Sequence, residues 1–123
     1  MILCGIFFFT AGYSQSKNDS AFIKFEDTKY NFGFVKEGQM VKIEYFFKNT
    51  GKAPLVISDI VVSCGCTVAD FPHHPINPGE SGMVLITFNT KEKYDRQDRT
   101  VEVISNASNS PAKLRFKGVV KKK

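Results

Sequence analysis

The chain of 123 residues has no tryptophan, two histidines and three cysteines, and nowhere do its apolar residues recur at helical spacing across three turns. Each scarcity removes a class of protein. Without helical periodicity, bundles and helix-covered parallel sheets are excluded. No glycine-rich loop leads into a helix, so no phosphate cradle is built. The two histidines, His73 and His74, are neighbours, which leaves no histidine elsewhere to act as a base. Gly79-Glu80-Ser81-Gly82 lacks the spacing of a nucleophile elbow, and its place in a turn is wrong for one. Asp95 and Asp98 stand in a charged stretch with no implied pocket. Lacking both tryptophan and a widely spaced cysteine pair, the chain is not an antibody-type domain. These absences together argue against an enzyme.

What is present fits a single domain, long enough to bury a core without help from metal or disulfides. Basic residues outnumber acidic ones 17 to 12, a formal charge of +5. Three of these cations form the tail Lys121-Lys122-Lys123, and others alternate with apolar residues, as in Lys113-Leu114-Arg115-Phe116-Lys117. That alternation places them on the outer face of a strand rather than in one patch. The charge then reads as solubility, with no nucleic acid partner.

Residues 1–14 carry no charge and include the run Ile2-Leu3-Cys4-Gly5-Ile6-Phe7-Phe8-Phe9. This run is too short to span a bilayer as a helix and fits the apolar region of a secretory signal peptide. Gly12 and Ser14 supply small residues for a cut between Ser14 and Gln15, although no Lys or Arg precedes the apolar run. Cys4 lacks the context of a lipid-attachment cysteine. Export to the periplasm or cell surface is the expectation, with no transmembrane span in the mature chain and a disordered linker over residues 15–20.

A domain over residues 21–120 is expected to be all-β. Residues 21–25, 30–35, 40–48, 54–62, 83–89, 100–105 and 113–120 read as strands, within a total of about eight. Over 40–48, Val41, Ile43, Tyr45 and Phe47 share one face, while Phe46 breaks the pattern in the manner of a residue covering a sheet edge. Residues 54–62 are apolar enough to be largely buried. Asn77-Pro78-Gly79-Glu80 has Pro and Gly at the centre of a type II turn. Residues 91–99 are strongly charged and read as an exposed loop. Turn signals about every ten residues argue for a two-sheet sandwich.

Glu37-Gly38, the run from Tyr45 through Asn49-Thr50-Gly51, Pro54-Leu55-Val56-Ile57, Ser63-Cys64-Gly65-Cys66-Thr67, Pro75-Ile76-Asn77-Pro78-Gly79, Ser105-Asn106 and Gly118-Val119-Val120 occur in this order. The pattern resembles the bacterial domain-of-unknown-function family number fifteen seventy-three over nearly all of the chain after the leader. The resemblance implies export and an immunoglobulin-like sandwich similar to the abnormal-spindle/hydin and major-sperm-protein class. It brings no activity and no catalytic residues.

The Cys64-Gly65-Cys66 segment is the chemically conspicuous one, and three readings compete for it. Small side chains filling a tight bend, or a structural disulfide between Cys64 and Cys66, is the first. A copper or zinc site completed by His73 is the second, although the spacing is unlike a zinc hairpin. Thiol exchange is the third, since a strained, exposed disulfide is labile. His73 and His74, set between Pro72 and Pro75, otherwise belong to a solvated loop. The resulting expectation is an exported binding or structural module without a cofactor, whose partner is a protein or cell-envelope component met at a sheet edge or at the loops of one end. A metal-handling or thiol-redox protein is the alternative.

Overall fold

Alternation of apolar and polar residues dictates the central strand, and the computed structural model, which describes residues 19–122, shows what is built around it. Eight strands form: β1 (Ile23–Phe25), β2 (Lys29–Lys36), β3 (Met40–Asn49), β4 (Ile57–Val61), β5 (Thr67–Asp70), β6 (Ser81–Asn89), β7 (Asp95–Ser105) and β8 (Ala112–Lys121). In β3 every second residue from Val41 to Asn49 is buried, so one face packs and the other meets solvent. β3 lies inside a four-stranded sheet of order β1-β3-β6-β5, and the second sheet runs β2-β8-β7-β4. The fold is an all-β, two-sheet sandwich.

Five of the six strand pairings are antiparallel, and β2 with β8 is parallel. The chain crosses from one sheet to the other between β1 and β2, where the Arg115 amide donates to the Thr28 carbonyl oxygen at 2.8 Å. That crossing gives each sheet one of the first two strands as an edge.

The inner faces meet through three fully buried rings, Phe47, Phe88 and Phe116, with Ile43, Ile86, Leu114, Val101 and Val103 between them. Phe88 and Phe116, from opposite sheets, have centroids 5.3 Å apart, and Phe32 sits 5.9 Å from Phe88. Each such ring removed from water contributes on the order of 2–3 kcal/mol before entropy is counted.

Asn49, fully buried at the end of β3, fastens the loops of one end. Its side-chain amide donates to the carbonyl oxygens of Ala53 and Ile76, both at 2.8 Å, and its oxygen accepts from the amides of Gly51 and Phe22. A Cβ at position 51 would collide with the backbone of residues 20–22, so glycine is required there. The type II turn forms at residues 77–80, with Gly79 at φ +88° and the Glu80 amide donating to the Asn77 carbonyl oxygen at 2.9 Å.

The structure corrects four local expectations. Residues 95–99 are not loop but the first part of β7, paired with residues 116–120 of β8. Residues 54–62 are not one largely buried strand. Leu55 makes an isolated bridge to Ile76, and β4 is a sheet edge with Val56 and Val61 exposed. Residues 67–70 form an additional short strand. Phe46 lies on the outer face of an interior strand, not over an edge. The expected leader, with a cut expected between Ser14 and Gln15, and the expected linker as far as residue 18 lie outside the described residues.

Candidate functional site

The site begins where β4 ends. Residues 62–66 turn the chain from the second sheet into β5 of the first. Cys64 and Cys66 are joined as a disulfide with a Cα–Cα distance of 5.3 Å, inside the usual span for such a bridge. The Cys66 amide points at the Cys64 sulfur at 3.3 Å, and the buried Thr67 hydroxyl lies 3.9 Å and 3.8 Å from the two sulfurs. Both cysteines are half-buried, with Cys66 packed against the core. Gly65 has no left-handed backbone, and a Cβ there would meet no atom within 4 Å. The bend therefore comes from the turn and its hydrogen bonds, and glycine is not sterically demanded.

Two further loops share this end. The Asn89 amide donates to the Cys66 carbonyl oxygen at 2.9 Å, and the Thr90 hydroxyl to that of Gln39 at 2.6 Å. The Glu92 amide donates to a carboxylate oxygen of Glu37 at 2.8 Å. Loops 36–39 and 90–94 are thus hydrogen-bonded to each other, and loop 62–66 joins the same end through Asn89. Exposed Met40 and Val68 lie on the outer face of the first sheet, and exposed Tyr94 lies beside Lys121 and Lys122 of the second.

His73 is not brought to the cysteines as a ligand. Its ring stacks on Phe71 at 4.5 Å, and among the described residues no three His, Cys, Asp or Glu side chains converge where a metal could sit. With both sulfurs in a disulfide, neither is a thiolate ligand in this form.

Beyond the cysteine end, the outer face of the second sheet carries a charge pattern that single-strand reasoning missed. Lys29 and Lys36 of β2, Lys113, Arg115, Lys117 and Lys121 of β8, and Arg96 of β7 all project from it. On this face Asp98 and Glu102 of β7 and Asp59 of β4 oppose them. The first sheet is nearly balanced, with Lys24, Lys42 and Lys48 against Glu44 and Asp70. The expectation that the cations avoid a patch is therefore wrong: alternation puts each one outward, and the sheet order sets three such strands side by side. Residue 121 ends β8 rather than starting a free tail, and its ammonium lies 4.8 Å from the Phe34 ring centroid.

Asp98 accepts from the Arg115 guanidinium, through Nε at 2.7 Å and through Nη2. This hydrogen bond holds the Asp98 carboxyl below the usual carboxylate range, and the charges of Arg115, Lys117 and Arg96 add to it. Beside the pair lies a shallow hollow of about 400 Å³, lined by Asn31, Phe34, Arg96, Arg115, Lys117 and Val119 among others. Inward from β7, Arg99 stands over Phe88 at 5.6 Å and donates to Gln97 at 2.7 Å. Among the described residues no helix is long and apolar enough to cross a membrane.

Similar architecture occurs in proteins of distant sequence. A protein of unknown function from Porphyromonas gingivalis superposes with a TM-score of 0.74 at 17% identity, covering 86% of this chain and 50% of that one. The chain thus spans half the length of that relative. The ASH/PapD-like domain 7 of human CEP192 gives 0.64 at 12% identity, covering 89% and 92% of the two chains. The C. elegans MSP family member WR4 gives 0.51 at 6% identity, covering 81% and 98%. At such identities the likeness is one of fold, an immunoglobulin-like sandwich. No curated protein sequence matches the chain. The profile of DUF1573, described as a protein of unknown function, matches residues 23–120, and the chain belongs to that family.

Proposed function

We propose that this chain is an exported binding or structural module of the cell envelope, not an enzyme, and that its partner is a protein or envelope component. The observation that carries this reading is the end built from loops 36–39, 62–66 and 90–94, fastened by hydrogen bonds, with Met40, Val68 and Tyr94 exposed around its rim. Scattered exposed apolar residues are ordinary, but a loop end fastened by hydrogen bonds and rimmed by them suits recognition. Immunoglobulin-like neighbours and the leader-like residues 1–14 support it further. The edge of β2 is a poorer route, because the Gly33 and Lys36 amides are held by the side chains of Asn31 and Gln39 at 2.9 Å and 2.6 Å.

The half-exposed Cys64–Cys66 disulfide favours one second reading, thiol exchange. An incoming thiolate would attack one sulfur to form a mixed disulfide, releasing the other as a thiolate. Copper or zinc would first require reduction of the pair and a third ligand.

Affinity capture with tagged residues 15–123 from the envelope of its own cells tests both readings. A module predicts a discrete partner retained equally by wild type and by Cys64→Ser/Cys66→Ser. A partner held as a covalent adduct on non-reducing gels, released by reductant and absent from the double variant, would transfer the function to thiol exchange.

A further inference from the structure

We propose that the outer face of β2, β8 and β7 is a docking surface for an extended acidic peptide segment. This adds a second surface, apart from the loop end, to the binding-module reading and rests on that reading. Along β8, Lys113, Arg115 and Lys117 recur at every second residue, a spacing of about 6.7 Å in an extended strand. An extended peptide with carboxylates at alternate residues has the same repeat, so its charges fall along this line. Arg115 is already paired with Asp98, which leaves Lys113 and Lys117 as the cations it meets there. Arg96 and Lys29 flank that line on the neighbouring strands.

The hollow beside Arg96, Arg115 and Lys117 distinguishes a peptide from other polyanions. Phe34 is 68% exposed there and faces Val119 across the β2–β8 pair. A phosphate polymer has nothing apolar to place against these side chains, whereas a peptide can seat one aliphatic side chain among its carboxylates. The peptide lies across the face and does not extend the sheet, since the β2 edge amides of Gly33 and Lys36 are already engaged. Charge complementarity selects this face alone, because the outer face of the first sheet is nearly neutral.

The test is fluorescence anisotropy with the full chain and a labelled peptide Glu-Ser-Glu-Ser-Leu-Ser-Glu-Ser-Glu, whose leucine shares a face with the glutamates in extended chain, at several salt concentrations. Arg96→Glu/Lys117→Glu is expected to weaken binding about tenfold or more, while Lys42→Glu/Lys48→Glu, with the same change in net charge on the opposite face, should change it less than about twofold. Phe34→Ala, which alters no charge, should weaken the leucine peptide about threefold and leave a serine-centred version unchanged. It also serves as the probe if charge reversal disturbs folding. Equal losses in the two charge-reversed variants would overturn the proposal, as would absence of peptide binding. So would tighter binding of polyphosphate or phosphatidylglycerol vesicles that is insensitive to Phe34. Envelope capture that succeeds while the peptide fails would remove this surface and leave the module reading standing.

Discussion

The Tyr45 hydroxyl, on β3 of one sheet, donates a 2.7 Å hydrogen bond to the carbonyl oxygen of Arg115, on β8 of the other. The bond ties the two sheets together beneath the cationic face that the Arg115 side chain helps to form. Tyr45→Phe keeps the ring and removes the tie. It is expected to lower stability by about 1–2 kcal/mol, read as a shift of the urea midpoint at unchanged slope. A variant as stable as wild type would show that the tie contributes nothing.

Burial of the same hydroxyl pushes its pKa well above the ordinary tyrosine value, with the charge of Tyr30 adding to the effect. In the unfolded chain the phenol ionises near pH 10. Above that pH the unfolded state binds fewer protons than the folded one. The contribution is therefore complete below about pH 10 and is lost above it at roughly 1.4 kcal/mol per pH unit until the folded phenol also ionises. Guanidinium midpoints measured from neutral to strongly alkaline pH should show this arm in wild type and lose it in Tyr45→Phe.

Asn49→Ala removes four hydrogen bonds from a fully buried position and leaves the carbonyls of Ala53 and Ile76 without that donor. A loss of about 3 kcal/mol or more is expected, a value confined to buried networks and cavities. Loop 50–56 should also exchange its amide hydrogens faster than β3. A loss below about 1 kcal/mol would mean that the loops are held by other contacts.

Some of this molecule was legible in the sequence, and the illegible parts share causes. β3 could be read because it is interior and covered on one face, so its alternation is unbroken. The turn at Gly79 was legible because proline and glycine specify its backbone. The start of β7 was hidden because its inward positions are Gln97 and Arg99, polar residues held by local hydrogen bonds and by the Phe88 ring, with the buried Arg99 Nε left without a partner. β4 misled in the opposite sense, since an apolar run reads as buried even where an edge exposes Val61. Cys64 and Cys66 stood out as a site, but two thiols alone do not say which chemistry they serve. The cationic face could not be seen at all, because it depends on β2 and β7 flanking β8, and strand order is not written in any one strand.

The Cys64–Cys66 bridge closes a very short loop, so it removes little entropy from the unfolded chain. Cys64→Ser/Cys66→Ser should cost well under the roughly 3 kcal/mol expected of a fifteen-residue loop. Thermal melts of wild type and variant, each with and without reductant, should differ by several degrees at most. A variant that no longer folds would make the bridge a structural staple.

The central claim, that this is an exported module whose surface meets a partner, is tested most directly by placing a photo-crosslinking amino acid at Tyr94 in living cells and irradiating them before fractionation. The account predicts one discrete adduct in the envelope fraction, formed also when the crosslinker replaces Val68 and absent when it replaces Lys24 on the first sheet's β1 edge. A chain confined to the cytosol, with no adduct from Tyr94 or Val68, would contradict it.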